Sequence, residues 1–504
     1  LKNLTIIEET TKLVKERQGI NIKISELPLN DEKTFKLLRR ADTTGVFQLE
    51  GGGMRRYLKE LQPSELEDII AMISLYRPGT LDAGMVPHYI SRKLGREKVT
   101  YLHPKLEPIL KKTYGIMVYQ EQLMEVARVL AGFTFSEADT LRKAVGKKIK
   151  SLLKEQEEKL ISGMIKNGID NNKAKEIWQW FEPFARYGFN RSHAASYALI
   201  GYQTAYLKAN FPEEFTASLL NSELDDIDRI AFLVDDAKKA NILILPPDIN
   251  KSFVNFTPED GKIRFGLLAI KNVGEQIANN IIKERIRGGD FQDLKDFLGR
   301  IQHKDLNKKS LESLIKGGAL DNLGIERNQL IQNIDEILKF SAVTKRGLVS
   351  NHNSLFGETM VGFSALKLKE APPATPEERL IWEKELLGLY LSNHPLKRFA
   401  DKMKASQARP INEVKLIKNE NQIFRIAGLL SKIQRVITKT GKPMIFAKVE
   451  DLSPQSIEVI VFNNTLNKTV PVWQENNIVL IQGKISWRDG DPKVICDQAK
   501  ILEV

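Results

Sequence analysis

Hydrophobic positions in the first half of the chain recur with the period of an α-helix. In several segments the apolar residues return every three or four positions, which places them along one buried helix face. The clearest segments are Glu65–Leu75, Glu121–Leu130, Asn172–Phe181 and Ala194–Ala209. Pro78–Gly79, Pro104 and Pro212 punctuate this helical pattern. We therefore predict that residues 1–262 form a mostly helical domain.

The pattern changes twice in the following stretch. Across residues 263–340 short helical segments alternate with glycine turns, which predicts a second helical region. Residues 341–375 then lose their periodicity and gather Ser, Asn, Gly and Pro, a composition typical of an exposed connector. We assign residues 341–420 to this connector and the segment that follows it.

The last part of the chain, residues 421–504, has the pattern of a β-domain. Short runs rich in Ile and Val alternate with turn signals such as Thr440–Gly441 and Asp489–Gly490. The predicted strands are Phe424–Leu430, Ile433–Thr438, Met444–Val449, Ile457–Phe462, Ile478–Gln482 and Lys493–Cys496. So many short strands in one small segment favour a closed barrel of the OB-fold type, with Phe446 in its core. The predicted fold class is multidomain α+β, with helical domains followed by this barrel.

Composition indicates the domain number, the charge of the partner and the cellular compartment. The 504 residues exceed what one core can organise, so three or four domains are expected. Lys and Arg total 76 against 64 Asp and Glu, and the net charge of +12 favours a polyanionic partner. Cys496 is the only cysteine, which excludes internal disulfides and fits a reducing cytoplasm. No apolar run approaches the roughly 20 residues of a membrane span. Because the sequence opens on Leu1, we expect it to be part of a longer protein.

Two polar clusters carry candidate chemistry. The first, residues 142–150, holds five cations and no acid, and Ser136–Asp139 before it resembles a helix capping box. Cations converging from a helix and its end suit a triphosphate or a DNA backbone, and the alternative is a solvated basic face. The second cluster places Asn190, Ser192 and His193 before an Ala-rich helix, where free backbone amides favour an anion.

A third candidate is Arg77, which a Pro-Gly turn presents after a helix. One interpretation is that Arg77 contacts a substrate. The alternative is that Arg77 is buried and stabilises the turn. For the second cluster the alternative is that Ser192 is an ordinary helix N-cap and that His193 is a partly buried polar residue.

Seven motifs give these clusters a family context. In chain order they are GVFQLE at Gly45–Glu50, SLYRPGT at Ser74–Thr80, TYGIMVYQEQLM at Thr113–Met124, LRKAVGKK at Leu141–Lys148, RYGFNRSHAASYA at Arg186–Ala198, YQTAYLKANFPEEF at Tyr202–Phe215 and ILPPDIN at Ile244–Asn250. Together they closely resemble the fingers region of the bacterial DNA polymerase III alpha subunit, the family C replicative polymerase. The resemblance implies that residues 1–262 are the fingers domain.

In that family the fingers bind the incoming nucleotide. The resemblance implies that the phosphates are bound by the cations Arg142, Lys143, Lys147 and Lys148. It also places Arg77, Tyr187, Asn190, Arg191, Ser192 and His193 at the nucleotide site. The chain departs from the family pattern at Lys143, Ile149 and Thr80, where Arg, Lys and Pro are usual. Lysine keeps the charge at position 143 but loses bidentate geometry.

The helical region 263–340 resembles the family's tandem helix-hairpin-helix. Ala269–Glu275 and Leu314–Leu320 each contain a hydrophobic-x-x-Gly turn, whose amides contact DNA phosphates without reading sequence. The resemblance implies that these turns bind DNA through Lys271, Val273 and Gly274 in the first copy and Lys316, Gly317 and Gly318 in the second. Asn272 departs from the usual Gly. The alternative is a plain helical hairpin.

The connector and the barrel carry two further predicted contacts. His352, Ser354, Leu355 and Phe356 resemble the family's internal motif for the β sliding clamp, with His352 in place of the usual Gln, and the alternative is a loop end packed on its own domain. In the barrel, Arg435, Lys439 and Lys442, together with Phe446 and Trp487, could hold single-stranded template. Barrels of this pattern also occur in aminoacyl-tRNA synthetases.

The resemblance implies a part of the DNA-directed DNA polymerase of bacterial chromosome replication. Its implied partners are primer–template DNA, single-stranded template, dNTP, the β sliding clamp and other replicase holoenzyme subunits, with no membrane contact. The family uses Mg²⁺ held by aspartates that we expect upstream of Leu1, so we expect no metal site and no polymerase activity in this chain alone. The alternatives are a non-catalytic DNA-binding scaffold with helix-hairpin-helix and OB modules, and a tRNA-binding enzyme.

Overall fold

A computed structural model describes most of the chain. The described residues are 2–82, 84–147, 150–184, 188–301, 306–350, 366–391, 395–438, 441–452, 456–487 and 491–502. Backbone contacts divide the chain into two compact units, Leu1–Ser222 and Glu223–Val504. No helix in the described ranges is long and apolar enough to cross a lipid bilayer.

The first unit is helical. Its helices are α1 (Lys2–Gln18), α2 (Glu32–Arg40), α3 (Gly52–Leu61), α4 (Leu66–Leu75), α5 (Pro78–Asp82), α6 (Met85–Lys93), α7 (Glu107–Leu110), α8 (Gln120–Ala131), α9 (Phe135–Lys147), α10 (Lys150–Lys166), α11 (Asn171–Trp178), α12 (Phe181–Phe184), α13 (Arg191–Asn210) and α14 (Pro212–Asn221). The four helices predicted from periodicity correspond to α4, α8, α11 and α13. The third is shorter than predicted, because α11 ends at Trp178 and α12 begins separately at Phe181.

Helix α13 is the central helix of the first core and packs against α2 and α4. Tyr202 on α13 is fully buried, and its ring lies 5.6 Å from that of Phe35. Its hydroxyl donates to the carbonyl of Pro28 at 2.6 Å and accepts from the amide of Asp31 at 3.0 Å. These contacts fix α13 along its length and therefore fix the position of its first turn.

A second core of the same unit is formed by α8, α9, α10 and α11. Helix α9 begins with a capping box, although the predicted box at Ser136–Asp139 is wrong. The carboxylate of Glu137 accepts from the Thr134 amide at 2.7 Å, and the Thr134 hydroxyl accepts from the Glu137 amide at 3.3 Å. The helix therefore starts two residues earlier than the predicted box implies. Asp139 is not part of the capping box and pairs with residues of the next turn.

The second unit contains helices and two sheets. Its elements are α15 (Ile227–Lys239), β1 (Ile244–Leu245), β2 (Thr257–Glu259), β3 (Lys262–Arg264), α16 (Glu275–Gly288), α17 (Leu294–Arg300), α18 (Lys308–Lys316), α19 (Arg327–Gln332), α20 (Ile334–Ser350), α21 (Pro376–Leu387), α22 (Ala400–Ala405), α23 (Ile411–Val414), β4 (Ile423–Ile437), β5 (Pro443–Glu450), β6 (Ser456–Val461), α24 (Asn463–Leu466), β7 (Ile478–Ser486) and β8 (Lys493–Ile501). In the small sheet, β3 pairs parallel with β1 and antiparallel with β2.

The larger sheet is a closed barrel with the strand order β4-β5-β6-β8-β7. This order, with its parallel β6–β8 pair, is that of an OB fold and confirms the predicted barrel. The first two predicted strands are one strand, β4, which continues through a register shift between Leu430 and Lys432. A bulge of this kind bends a strand so that it serves both sides of a small barrel.

The barrel interior is filled by alternate residues of each strand. On β5 the inward residues Ile445, Ala447 and Val449 are fully buried. Phe446 belongs to the outward set and is half-exposed, so its predicted place in the core is wrong. The two-residue period of β5 decides its outward position, whatever the aromatic character of the side chain.

Candidate nucleotide and nucleic-acid sites

The first turn of α13 is joined to the start of α8 through the backbone. The Gln120 amide donates to the carbonyl of Phe189 at 2.9 Å, and the Phe189 amide donates to the carbonyl of Val118 at 3.1 Å. Asn190 is the N-cap of α13, since its side-chain oxygen accepts from the His193 amide at 2.8 Å. The α8 and α13 N-termini therefore lie side by side.

A carboxylate from α8 occupies the N-terminus of α13. Glu121 accepts from the Arg191 amide with both oxygens, at 3.0 and 3.2 Å, and from the side-chain nitrogen of Asn190 at 3.0 Å. The sequence predicts an anion at this helix end because its amides have no partner within the helix. The structure places an anion there that belongs to the chain itself.

The side chain of Arg191 is also paired. One guanidinium nitrogen lies 2.5 Å from a carboxylate oxygen of Glu67 in the first turn of α4, and the guanidinium lies 5.7 Å from the ring centroid of Tyr119. The hydrogen bond to Glu67 raises the pKa of Arg191 above its ordinary value. Arg191 is therefore held between α4, α8 and α13.

Arg77 lies over the ring of Phe189. Its guanidinium is stacked on the Phe189 ring, 3.7 Å from the centroid, and desolvation there lowers the pKa of Arg77. Thr80, where the family usually has Pro, is buried, and its hydroxyl donates to the carbonyl of Arg77 at 3.0 Å. This hydrogen bond gives the departure at position 80 a structural reason, since it connects α5 with Arg77 just before it. The predicted Pro-Gly turn is wrong, because Pro78 and Gly79 begin α5.

Arg142 and Lys143 share one acid. Asp139 lies one turn before them on α9, 2.9 Å from Arg142 and 2.7 Å from Lys143, and these two cations lower the pKa of its carboxyl. Arg142 also donates to the side-chain oxygen of Gln120 at 3.3 Å, while the Gln120 side-chain nitrogen donates to the carbonyl of Gly188 at 3.2 Å. Gln120 therefore connects the basic cluster of α9 with the polar cluster before α13.

The histidine of the second cluster belongs to a row of rings. His193 lies 5.6 Å from Phe189 and 4.4 Å from Tyr197, measured between ring centroids, and its side chain is exposed. Ser192 is exposed in the first turn and is not the N-cap, because Asn190 has that role. Both side chains can thus be reached from solvent.

Some predicted residues lie outside what the structure describes. Of Lys147 only the backbone is described, at the end of α9. The predicted nucleotide contacts Lys148 and Tyr187 lie outside the described residues, as do Ile149, the template contact Lys439 and the clamp-motif residues His352, Ser354, Leu355 and Phe356.

The first predicted hairpin turn is exposed. Asn272 has a φ of 68°, in the left-handed region that Asn tolerates better than other non-glycine residues, and its side chain donates to the hydroxyl of Ser313 at 3.0 Å. The usual glycine is therefore replaced without loss of the turn. Lys271 and Gly274 are exposed, while Val273 packs inward with 4% of its surface exposed. Gly274 is the N-cap of α16.

The second predicted turn is covered. Gly317 and Gly318 are buried, and their amides donate to the carbonyls of Ser313 at 2.9 Å and Ile315 at 3.0 Å. The Lys316 carbonyl accepts from Arg327 at 3.0 Å. The Lys316 side chain forms an ion pair with Glu312. DNA contact by Lys316, Gly317 and Gly318 stays a prediction. Such contact would have to replace these hydrogen bonds and this ion pair.

The barrel presents part of its predicted surface. Arg435 and Lys442 are exposed, on β4 and in the turn that follows it. The half-exposed ring of Phe446 has the Lys493 ammonium 5.8 Å from its centroid. The indole nitrogen of Trp487 donates to the carbonyl of Ile417 at 3.0 Å, so this side chain is fixed against the barrel.

The donor set does not fit the metal chemistry expected of the wider family. Among the described residues, no group of three or more His, Cys, Asp and Glu side chains is arranged to hold a metal ion. Asp139, Glu121 and Glu67 each bond instead to cations or amides. These carboxylates therefore act in this structure as ion-pair partners and helix-end acceptors.

Three family models match separate parts of the chain. Bacterial DNA polymerase III alpha subunit finger domain matches residues 3–168, helix-hairpin-helix motif matches 241–330, and OB-fold nucleic acid binding domain matches 424–502. DNA polymerase III subunit alpha of Bacillus subtilis is 40% identical over 100% of this chain. Those of Aquifex aeolicus and Thermus aquaticus are each 40% identical over 96%. The chain belongs to the bacterial DNA polymerase III alpha subunit family.

The chain spans about two fifths of the length of these curated relatives, covering 40% of the Aquifex and Thermus proteins and 44% of the Bacillus protein. The range matched by the finger-domain model contains the acids Glu67, Glu121 and Asp139 and the cations Arg142 and Lys143. Both predicted hairpin turns lie inside the helix-hairpin-helix match. The OB-fold match begins in β4 and ends just after β8.

Sequence reasoning missed the residues that connect the two polar clusters. Gln120 and Glu121 lie in the motif TYGIMVYQEQLM. They are the first two residues of α8, and polar side chains of this kind are typical of any exposed helix face. Glu67 is distant in sequence from its partner Arg191. The one local signal was Asp139, whose spacing of three and four residues from Arg142 and Lys143 favours ion pairs on a helix.

Proposed function

We propose that the chain supplies the nucleotide-holding and DNA-holding part of a bacterial replicative DNA polymerase. The observation that supports this proposal is the link from Arg142 through Gln120 to the carbonyl of Gly188, which lies just before the first turn of α13. The family assignment supports it, because the matched relatives are DNA polymerase III alpha subunits. Polymerisation itself, with its Mg²⁺, belongs in this proposal to the longer protein.

Each part of the proposed nucleotide site has a physical task. Arg142, Lys143 and Arg191 supply fixed positive charge, and the amides of the first α13 turn supply donors for phosphate oxygens. Phosphoryl transfer depends mainly on positioning and charge neutralisation, so such groups can hold a triphosphate in line for attack. The proposed set is completed by Arg77, Lys147, Lys148, Tyr187, Asn190, Ser192 and His193.

The remaining regions would hold DNA and the clamp. We assign residues 1–262 to the fingers, 263–340 to the hairpins, 341–420 to the clamp motif and connector, and 421–504 to the OB domain. The exposed turn at Lys271–Gly274 suits a phosphate backbone, and the half-exposed Phe446 beside Lys493 suits a stacked base. The β sliding clamp, other replicase subunits and single-stranded template are proposed partners.

The test compares two arginines that have the same local setting. Arg142 pairs with Asp139 at a spacing of three residues, and Arg128 pairs with Glu125 at the same spacing, outside the proposed site. We expect Arg142→Ala to weaken dNTP binding to the chain by about tenfold, the size of a charge-assisted hydrogen bond to phosphate. Arg128→Ala should leave it unchanged. Isothermal titration calorimetry with dATP measures both.

DNA binding decides between the proposal and its alternative. Primed and single-stranded DNA are titrated with the same variants over a range of salt concentrations. If Arg142→Ala loses nucleotide affinity much more than DNA affinity, the cluster serves the nucleotide. If it loses only DNA affinity, with a shallower salt dependence, the cluster holds a DNA backbone and the non-catalytic scaffold becomes the better description.

A further inference from the structure

The donors of the first α13 turn already have an anion. Both oxygens of Glu121 lie within 3.2 Å of the Arg191 amide, and one of them also accepts from the Asn190 side chain. A phosphate at this helix end would need the same donors. Glu121 and a bound phosphate therefore cannot occupy this position together.

The neighbouring cations have acidic partners in the same way. Glu67 on α4 bonds to the Arg191 guanidinium, and Asp139 on α9 bonds to Arg142 and Lys143. The three acids come from three different helices, α4, α8 and α9, and each is bonded to a proposed phosphate-binding group. A structural role at one helix end does not explain all three pairs.

These ion pairs are open to solvent and so can exchange partners. The side chain of Arg191 is 39% exposed and that of Glu67 is 29% exposed. Arg142 and Asp139 are 33% and 35% exposed. Half-exposed pairs of this kind contribute little net stability, since water competes for both charges. A ligand with several phosphate groups offers more charge and more oxygen atoms than the carboxylates it would displace.

We propose that Glu67, Glu121 and Asp139 occupy the nucleotide site in its resting state, and that an incoming triphosphate must displace them. This inference rests on the proposed function and adds a regulatory feature to the same site. The carboxylates keep the cations in place before the ligand arrives and oppose weakly charged ligands. Removing one acid therefore strengthens triphosphate binding, whereas removing an ordinary structural cap weakens it.

The experiment uses the 504-residue chain and two ligands, dATP and inorganic tripolyphosphate. Glu121→Gln keeps the size and the acceptor oxygen but removes the charge. Its control is Glu125→Gln, one turn further on α8, where Glu125 pairs with Arg128 at 2.7 Å. We expect Glu121→Gln to tighten both ligands by about three- to tenfold, the range expected for a charge at a helix N-terminus. Glu125→Gln should change neither.

A second variant guards against a folding defect. Glu67→Gln frees the Arg191 side chain and leaves the bonds of Glu121 to the helix end in place, and it should also tighten both ligands. If the wild type binds dATP and both variants bind it equally well or more weakly, the inference is wrong and the acids are structural. If neither the wild type nor Glu121→Gln binds either ligand, the proposed nucleotide function itself fails.

Discussion

The guanidinium group of Arg327 fills the space beside the α-carbon of Gly318. A Cβ atom on Gly318 would lie 2.3 Å from a terminal nitrogen of Arg327, and the backbone there has a φ of +84°. Arg327 is buried and pairs with Asp321, so it has little room to move. We expect Gly318→Ala to lower the free energy of unfolding by about 2–4 kcal/mol, combining left-handed strain with displacement of a buried side chain.

Gly324 provides the matched control for this substitution. Its φ is +76°, yet a Cβ atom there would meet nothing within 4 Å. Gly324→Ala should therefore cost only the strain of about 1–2 kcal/mol. Urea unfolding followed by circular dichroism measures both variants, and equal losses would show that the contact with Arg327 does not matter.

The hydroxyl of Tyr202 provides a second stability prediction. It donates to Pro28 and accepts from the Asp31 amide, and the Tyr202 side chain itself is fully buried. Tyr202→Phe leaves both backbone groups without this partner, so we expect a loss of about 1–3 kcal/mol. Tyr101→Phe, in a half-exposed part of the same unit, should stay within about 0.5 kcal/mol of the wild type. A Tyr202→Phe variant as stable as the wild type would contradict the argument.

The start of α9 predicts a dependence of stability on pH. Hydrogen bonds from Lys159 and from Thr134 lower the pKa of Glu137 to about 2, from 4.5. Because the folded value is the lower one, the stabilisation by Glu137 is complete above about pH 4.5 and is lost as the pH falls towards 2. The difference in melting temperature between the wild type and Glu137→Gln should therefore be constant above about pH 5 and should narrow as the pH is lowered from 4.5 to 3. A difference that does not narrow would refute the assignment.

The two hairpin turns predict different salt dependences of DNA binding. Lys271 is exposed beside an open turn, whereas Lys316 is paired with Glu312 beside a covered one. Lys271→Ala should reduce the slope of log affinity against log salt by about 0.9, the value for one phosphate contact on duplex DNA. Lys316→Ala should reduce it less. Filter binding at several salt concentrations measures both slopes, and a larger effect of Lys316→Ala would reverse the proposed order of the turns.

Local patterns were sufficient for much of the architecture. The buried faces of α4, α8 and α13 and the alternating strands of the barrel arise from periods of 3.6 and two residues, which a sequence displays directly. The resemblance to the alpha subunit family then predicted the order of the domains. The break between α11 and α12 was not predicted, because Trp178 and Phe181 both continue the apolar pattern.

Contacts between distant residues could not be read in the same way. Glu67 and Arg191 are 124 positions apart, and no local pattern connects them. The continuous strand β4 was predicted as two strands, because its bulge near Ser431 resembles a break in the apolar alternation. The capping box was misplaced because Thr134 and Ser136 are both suitable N-caps, and only the backbone decides between them.

The parallel pairing of β6 with β8 has a consequence for synthesis of the protein. β8 is the last barrel strand in the chain and completes the barrel by pairing with both β6 and β7. Until β8 has emerged from the ribosome and paired, the other four strands expose one open edge on β6 and another on β7. Open edges attract foreign strands, so the nascent barrel is most vulnerable to aggregation at this stage. A chaperone that binds the unfinished barrel would act in the interval before β8 pairs with β6 and β7.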